Sequence, residues 1–448
     1  RQYPKSAPLL MTSMIRLQPS WIVPINPRQC VYTDYDLVIE HERIEALLPR
    51  TDADRHYPSA QPLPLPGQVV LPGLVNGHGH AAMTLLRGYA DDYSLMEWLE
   101  NHIWPVEAKF VSETFVATGA WLAAAESVSS GTTCCADSYF FPQSTAEAMA
   151  RVGIRSQITT PIIQFPNAWA GSEDHHIEKS QQFFEWAAAM PRLTFGFAPH
   201  SAYSLSDEAF TKTRTLALSN DLPVHLHLHE SRDELDRHFT QHGCRPMERM
   251  KRLGMYDTQL QTVHMTQLIG HEIEDLTATS TPVVHCPESN MKLASGACPV
   301  SELLAQDVVV ALGTDGAASN NDLDMFQEMR TAALLAKVTT GDPEALSAED
   351  ALHMATLGGA QFLGLDKMIG SLEPGKRADV IAVQLNDIQS QPVYHPVSQL
   401  VYTCTGRNVT HTFVDGKLVY EKGRFTQFDV DELKADVATW KSKIGALT

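Results

Sequence analysis

The sequence lacks long hydrophobic runs and is short of positive charge. No apolar stretch in its 448 residues approaches the roughly 18 residues that span a bilayer, and the N-terminus has no charged region followed by a continuous apolar core. Lys and Arg number 34 against 53 Asp and Glu, a net charge of −19, which disfavours nucleic acid and anionic membranes because like charges repel. We therefore expect a soluble, cytoplasmic protein that binds a small neutral or cationic molecule, and neither nucleic acid nor a membrane.

Cysteine is scarce and shows no paired spacing. The seven cysteines form no CxxC motif and their number is odd, which argues against a disulfide framework and favours reduced thiols in the cytosol. The length is sufficient for one large domain and a smaller one. The sequence does not fix the oligomeric state, for which a homo-oligomer is our expectation.

Short β-rich segments occur near both ends of the chain. We expect residues 1–70 and 369–425 to form one small β-sandwich domain, the proline-rich residues 58–66 to act as a linker, and residues 426–448 to form a C-terminal helix. The segments with strand character are 20–25, 36–40, 43–47, 378–383 and 409–420, the last of which contains an Asp-Gly hairpin turn.

Between residues 71 and 368, short apolar runs alternate with helical patterns. A repeated strand-then-helix order over about 300 residues predicts a parallel α/β fold, and this length suits a TIM-type (β/α)8 barrel. The apolar runs are 155–158, 193–198, 224–228, 262–264, 282–285 and 308–312, and the helical patterns are 113–130, 207–220, 231–253 and 324–337.

The pair His78 and His80 follows the apolar run 69–74, which reads as a buried strand closed by a Pro-Gly break. Residues two apart on an extended segment point the same way, so both imidazoles enter one space. The interleaved glycines allow backbone and metal to approach closely. This stretch predicts one half of a metal site.

Three more residues that can bind metal or transfer protons lie at predicted strand ends. They are His227, His264 and Asp315, and a barrel places its active site where strands end. With the first pair of histidines, His227 and Asp315 give three nitrogens and a carboxylate for zinc or a similar divalent ion, with one position left for water. We expect His264 to act beside the metal and not as one of its ligands.

Residues 225–230 need separate treatment because His225, His227 and His229 alternate on one face of a strand. Periodicity alone leaves each of them open as the ligand. The His-x-x-Glu spacing favours His227, because Glu230 then turns back over the metal, where a carboxylate can shuttle protons between water and substrate. The other two histidines are expected to be hydrogen-bonded supporting groups.

Together these motifs resemble the amidohydrolase superfamily, and within it the 5-methylthioadenosine/S-adenosylhomocysteine deaminases. The resemblance covers nearly the whole chain and implies zinc on His78, His80, His227 and Asp315, although iron or manganese can occupy comparable sites. It is carried by PGLVNGHGH at 72–80, the His227-x-x-Glu230 spacing, PESNMKL at 287–293, GTDGAASNN at 313–321 and GSLEPGKRAD at 370–379.

Besides Glu230 and Asp315, the resemblance implies three further substrate-binding residues. Glu107 resembles the family's ribose-binding glutamate, since a carboxylate can accept hydrogen bonds from both hydroxyls of a cis-diol. His200 resembles a histidine that contacts substrate, and Arg155 an arginine near the 5′ substituent. Homocysteine-accepting members have a second arginine shortly afterwards, but residues 156–178 contain neither Arg nor Lys. We therefore hypothesise a preference for the small methylthio group.

The chemistry expected from these residues is hydrolytic deamination of an adenine ring. Glu230 would move a proton from water to ring N1, His264 would stabilise the attacking oxygen, and Asp315 would orient it. Alternatives are deamination of guanine, another aminopurine or a pterin, hydrolysis of a triazine, cyclic-amide cleavage, and a non-catalytic relative on the same barrel. Glu107 argues against guanine, pterin and triazine, none of which carries a ribose diol.

Overall fold

The first strands of the chain belong to a mixed sheet. A computed structural model describes residues 14–446, so the expectations for residues 1–13 and 447–448 lie outside the described residues. The N-terminal strands are β1 (Met14–Ile22), β2 (Tyr35–Glu40), β3 (Arg43–Pro49) and β4 (Gln61–Pro72).

The proline-rich segment is part of a strand, so its prediction as a linker is wrong. It forms the first half of β4, which pairs in parallel with β1. Pro62, Pro64 and Pro66 alternate along this half and are exposed, and the next strand on that side pairs only with residues 68–72. Proline is tolerated there because an edge leaves alternate backbone N–H groups without a partner in the sheet.

Eight parallel strands form the barrel and confirm the predicted (β/α)8 class. Consecutive strands pair around the sheet, and the first and last meet where the Gly77 amide donates to the Leu312 carbonyl over 2.8 Å. The strands are β5 (Leu74–Asn76), β6 (Thr132–Ser138), β7 (Arg155–Ile162), β8 (Leu193–Pro199), β9 (Pro223–Leu228), β10 (Gln259–His264), β11 (Val283–His285) and β12 (Val310–Leu312).

The predicted strand at 69–74 is divided between the two sheets. Residues up to Pro72 pair in the mixed sheet, and the barrel begins at Leu74. Gly73 joins them, and a Cβ on this glycine would lie 2.0 Å from Oγ1 of Thr133. The close approach of the two sheets therefore requires glycine at this position.

The C-terminal strands complete the mixed sheet, so both chain ends build one β layer, as predicted. The order is β16-β15-β14-β13-β4-β1-β2-β3. Asp415 and Gly416 have φ of 49° and 70°, which is the backbone of a tight hairpin turn. The added strands are β13 (Val380–Gln384), β14 (Val409–Val414), β15 (Lys417–Glu421) and β16 (Arg424–Phe425).

Most helices connect one barrel strand to the next. The predicted helix at 231–253 is two helices, because Gly243 adopts a φ of 69° and Pro246 opens the second. The C-terminal helix packs on the helix Glu113–Ser129, where the indole of Trp440 donates to Thr118 Oγ1. None of the helices within residues 14–446 has the length and apolar character needed to cross a bilayer. The helices are α1 (Arg50–His56), α2 (Leu95–Trp98), α3 (Trp104–Phe110), α4 (Glu113–Ser129), α5 (Pro142–Val152), α6 (Glu173–Ala187), α7 (Asp207–Asn220), α8 (Arg232–His242), α9 (Pro246–Arg252), α10 (Gly270–Thr279), α11 (Pro287–Lys292), α12 (Val300–Ala305), α13 (Ala317–Asn320), α14 (Met325–Thr340), α15 (Ala348–Met354), α16 (Leu357–Phe362), α17 (Pro396–Tyr402) and α18 (Val430–Gly445).

Candidate active site

Four residues with metal-binding side chains converge at the carboxyl end of the barrel. His78 and His80 follow β5, His227 lies near the end of β9, and Asp315 follows β12. Because the strands are parallel, their carboxyl ends meet at one rim. All four side chains are buried or nearly so, so the barrel holds them in fixed positions.

Three pairs of these side chains bring potential ligand atoms to the spacing of a metal site. Oδ1 of Asp315 lies 3.3 Å from Nε2 of His78 and 3.2 Å from Nε2 of His80, and the Nε2 atoms of His78 and His227 are 3.2 Å apart. Ligands placed tetrahedrally at typical zinc–nitrogen distances are about 3.3 Å from each other. His78, His80 and Asp315 therefore fit a zinc-sized divalent ion together, and His227 adjoins them through His78.

The protonation states of two histidines are fixed by backbone carbonyls. Nδ1 of His80 donates to the Ser138 carbonyl and Nδ1 of His227 donates to the His200 carbonyl, each over 2.7 Å. A carbonyl can only accept, so each Nδ1 carries a proton, and each Nε2 is the nitrogen that faces the centre and can bind a metal once it is unprotonated.

His78 reaches the same state through a buried relay. Nε2 of Gln261 donates to the Phe362 carbonyl over 2.9 Å, which turns the amide oxygen toward Nδ1 of His225 at 3.2 Å. His225 must then donate from Nδ1 and accept at Nε2, where Nδ1 of His78 lies 2.8 Å away. Nε2 of His78 is consequently free to bind metal. His225 is thus a supporting group rather than a fourth imidazole ligand.

Asp315 is held by a set of donors and by an uncommon backbone conformation. Oδ2 accepts from Ser289 Oγ at 2.7 Å and Ser319 Oγ at 3.2 Å, and Oδ1 from the Gly316 amide at 2.8 Å. Burial favours the neutral acid, but hydrogen bonds from the histidines outweigh it and keep the pKa of Asp315 well below its usual range. Its φ is 60° and that of His264 is 75°, and strain of this kind clusters at functional sites.

Glu230 and His264 lie side by side next to the four converging residues. Nε2 of His264 is 3.7 Å from Oε1 of Glu230. Burial, and then the charge of Asp315, raise the pKa of Glu230 to about 8. The backbone amide of Glu230 donates to Glu234 Oε2 over 2.6 Å. A carboxylate with a pKa near neutrality, fixed beside a metal site, is suited to accept and return protons.

Glu107 and His200 also face this region. The Tyr139 hydroxyl donates to Glu107 Oε1, and burial raises the pKa of Glu107 to about 7 against the lowering effects of that hydrogen bond and of His80. The His200 ring lies 4.8 Å from that of His227, and burial lowers the pKa of His200 to about 4, so its imidazole is neutral. No pattern in the sequence marks Tyr139 as a functional residue, because the strand before it, β6, has no apolar run.

His229 does not join the metal site. It lies next to Glu230 in sequence, but its Nε2 accepts from the Met247 amide over 3.2 Å. Its Nδ1 lies 3.6 Å from Glu272. These contacts anchor the start of α9 and agree with the expected supporting role.

The structure does not bring Arg155, predicted to lie near the 5′ substituent, to the site. It begins β7, whereas the site lies where the strands end. Its guanidinium is buried and bonds to Asp379 at 2.9 and 3.0 Å and to Asp415 at 2.5 Å. Both carboxylates follow or precede strands of the mixed sheet, so this cation ties the two sheets together.

Comparisons with known proteins agree with this geometry. The Amidohydrolase family profile matches residues 69–419. A 5-methylthioadenosine/S-adenosylhomocysteine deaminase from Teredinibacter turnerae is 45% identical over 96% of this chain and 97% of its own length. The crystal structure of an adenosine deaminase from Xanthomonas campestris with bound zinc is 42% identical, covers 96% of this chain and 98% of that chain, and superimposes with a TM-score of 0.94.

A more distant structure shares the fold alone. E. coli guanine deaminase is 23% identical, with a TM-score of 0.83 over 91% of this chain and the whole of that chain. The full-length similarity to the deaminases at 42–45% identity decides the family. The chain therefore belongs to the amidohydrolase family and, within it, to the group of 5-methylthioadenosine/S-adenosylhomocysteine deaminases.

Proposed function

We propose that this metal-dependent deaminase hydrolyses the adenine ring of 5′-methylthioadenosine to the inosine analogue and ammonia. The observation that carries the proposal is the placement of Glu230 beside His264 and next to the cluster of His78, His80 and Asp315, with Glu107 bonded to Tyr139 just after β6. The relatives named for this reaction match over nearly their full length. S-adenosylhomocysteine and adenosine are further candidate substrates.

We infer that zinc is held by His78, His80, His227 and Asp315. When bound, the metal supplies a Lewis acid that makes hydroxide available near neutral pH. The three-nitrogen, one-oxygen set suits zinc, and Fe²⁺ or Mn²⁺ could bind the same atoms. The short distance between Nε2 of His78 and Nε2 of His227 supports this assignment. Unprotonated imidazole nitrogens 3.2 Å apart repel each other unless a cation lies between them.

In the proposed reaction, Glu230 moves the proton and His264 steadies the oxygen. Water adds to C6 of the adenine ring while Glu230 takes its proton and delivers one to ring N1, so that N1 accepts the displaced electron pair. His264, whose Nδ1 is held by Oδ1 of Asn290 at 2.9 Å, donates a hydrogen bond from Nε2 to the added oxygen once that nitrogen is protonated, as negative charge develops there. Asp315 orients the attacking oxygen. The second proton of the added water moves to the amino nitrogen, the C6–N bond breaks as the C6=O bond forms, and ammonia leaves.

Glu107 supports a nucleoside rather than a free base as substrate. Its carboxylate can accept hydrogen bonds from a ribose diol, which guanine, pterins and triazines lack. A dihydroorotase-like site would need a carboxylated lysine where His200 lies, and no lysine ends that strand. A non-catalytic role gives no reason for a buried carboxylate with a pKa near 8 beside the metal ligands.

The 5′ substituent is proposed to be the methylthio group. The loop after β7 offers Phe165, Trp169 and no cation. Within the described chain, the nearest cation after this loop is Lys179, whose ammonium lies 5.7 Å from the Trp169 ring. An apolar surface favours a thioether, whereas a zwitterionic homocysteine tail needs charged partners.

The test is an ultraviolet assay of the zinc-loaded protein with 5′-methylthioadenosine, S-adenosylhomocysteine, adenosine and guanine. Loss of the adenine band with stoichiometric ammonia release, fastest for the methylthio compound, is expected. Glu230→Gln should keep the metal but lose most turnover, since only the proton carrier is removed. Turnover of guanine with no adenosine deaminated would overturn the substrate assignment and keep the metal assignment.

We propose a cytoplasmic location, a small-molecule substrate as the only partner class, and a homo-oligomeric state. All seven cysteines are free thiols, and six of them are buried, which suits a reducing compartment. Sedimentation of the purified protein would test the oligomeric state directly.

A further inference from the structure

The end of β6 holds three parts of the active site with three consecutive residues. Oδ1 of Asp137 accepts from the Ala81 amide over 2.6 Å, and the Ser138 carbonyl accepts from His80. Tyr139 follows, and its hydroxyl donates to Glu107. The first two contacts fix the loop that carries the metal ligands. The contact between Tyr139 and Glu107 does not fix that loop, because Glu107 belongs to α3 and binds no metal in the proposed scheme.

The position of Tyr139 places its hydroxyl at the substrate side of the site. The side chain is buried, with 4% of its surface exposed, and its ring centroid lies 6.4 Å from that of His80. Phe140 lies on its other side, with ring centroids 5.3 Å apart. The Tyr139 ring thus lies near a proposed metal ligand, and its hydroxyl reaches Glu107.

The hydrogen bond to Tyr139 changes what Glu107 can accept. One lone pair of Oε1 is already used, while Oε2 accepts no hydrogen bond from any residue in 14–446. The phenolic proton is committed to the carboxylate, so the phenolic oxygen is left as an acceptor. Two adjacent acceptors, Oε2 of Glu107 and the oxygen of Tyr139, are therefore available to the two hydroxyl donors of a cis-diol.

We propose that Tyr139 is a specificity-determining residue that reads the ribose diol together with Glu107. One sugar hydroxyl donates to Oε2 of Glu107, the other donates to the phenolic oxygen, and the hydrogen bond between the two side chains fixes both acceptors. This inference rests on the proposed function and assigns the diol a second contact. Burial raises the pKa of Glu107 and the Tyr139 hydrogen bond lowers it, so the tyrosine also helps to keep the carboxylate ionised.

The experiment compares Tyr139→Phe with the unchanged protein on 5′-methylthioadenosine and on its 2′-deoxy, 3′-deoxy and 2′,3′-dideoxy analogues. Deleting a neutral hydrogen bond costs roughly a factor of ten in kcat/KM, and the loss should appear in KM rather than kcat. It should be largest on the ribonucleoside and on the monodeoxy analogue that keeps the hydroxyl facing Tyr139, smaller on the analogue that keeps only the hydroxyl facing Glu107, and absent on the dideoxy compound. Glu107→Gln should be non-additive with Tyr139→Phe, because the two side chains act as one unit.

Tyr256→Phe is the matched control. Tyr256 is a partly buried tyrosine in the short turn before β10, at the end of the barrel opposite the site, and losing its hydroxyl should leave all four rates unchanged. Bound zinc, measured by mass spectrometry, should be equal in all variants.

Three results would overturn the assignment to Tyr139. They are an equal loss on the ribo and dideoxy substrates, no loss on any substrate, and a loss of zinc with Tyr139→Phe. If the unchanged protein deaminates no adenine nucleoside at all, the proposed function itself fails, and that outcome is visible before any variant is compared.

Discussion

The relay behind His78 predicts a measurable effect of Gln261 on metal affinity. Gln261→Leu removes the oxygen that accepts from Nδ1 of His225, a side chain with only 2% of its surface exposed. His225 then either keeps a buried donor without a partner or moves its proton to Nε2. In the second case Nδ1 of His78 must become an acceptor, and the proton of His78 moves to Nε2, where it blocks the metal.

The expected loss of metal affinity follows from the free-energy cost of these two states of His225. Leaving a buried donor unpaired costs about 1–3 kcal/mol, which corresponds to about 5- to 150-fold in an equilibrium constant. Changes to groups that support metal-ligating histidines typically weaken metal binding by about 10- to 100-fold. We therefore expect the zinc dissociation constant of Gln261→Leu to rise by about tenfold or more, while substrate KM at saturating zinc stays unchanged.

The assay is competition for zinc against a chromophoric chelator, combined with thermal unfolding of the metal-free protein. Gln261→Glu keeps an acceptor facing His225 and should retain most of the affinity. Gln157→Leu is the matched control, because Gln157 is equally buried, donates to the Leu363 carbonyl over 3.3 Å and contacts no histidine. Equal zinc affinity in Gln261→Leu and the unchanged protein would refute the relay, as would an equal loss in Gln157→Leu.

Four further outcomes are expected. Arg155→Met should lower the free energy of unfolding by about 3–5 kcal/mol, since it leaves the buried carboxylates of Asp379 and Asp415 uncompensated, and should leave KM unchanged. Calorimetry and a KM measurement check this. A raised KM with normal stability would return Arg155 to the substrate site. kcat/KM should rise with pH as Glu230 loses its proton. The apparent pKa should lie above the ordinary value of 4.5 and below the metal-free value of about 8, because a bound cation favours the carboxylate. A flat pH profile would argue against Glu230 as the base. Chelation should abolish turnover and lower the melting temperature, and added zinc should restore both; turnover that survives complete metal removal would contradict the metal assignment. Lys179→Met should leave 5′-methylthioadenosine turnover unchanged, and a large loss confined to S-adenosylhomocysteine would show that this lysine serves a homocysteine tail.

The sequence by itself determined the parts that depend on local pattern. Strand-end spacing identified His78, His80, His227 and Asp315, because a parallel barrel brings every strand end to one rim. Alternation of apolar runs and helical patterns predicted the barrel, and β-rich segments at both chain ends predicted the shared sheet. Each of these inferences needs only the period of the chain and the chemistry of the side chains.

Only the tertiary structure decided which groups meet across long sequence separations. Arg155 lies on a barrel strand, β7, but at the amino end of that strand, where carboxylates more than 200 residues away in sequence bind it. The strand Thr132–Ser138 escaped notice because its threonines, cysteines, aspartate and serine form no apolar run, although every residue is buried. The proline-rich strand could be recognised only from its single partner in the sheet.

The same holds for the supporting contacts of the site. Gln261 and His225 gain their role from facing each other on adjacent strands, and Tyr139 meets Glu107 of α3, a residue 32 positions earlier in the chain. A histidine, glutamine or tyrosine carries no pattern that states its hydrogen-bond partner. The direction of each hydrogen bond, and with it the protonation state of each ligand, follows from the three-dimensional arrangement of donors and acceptors.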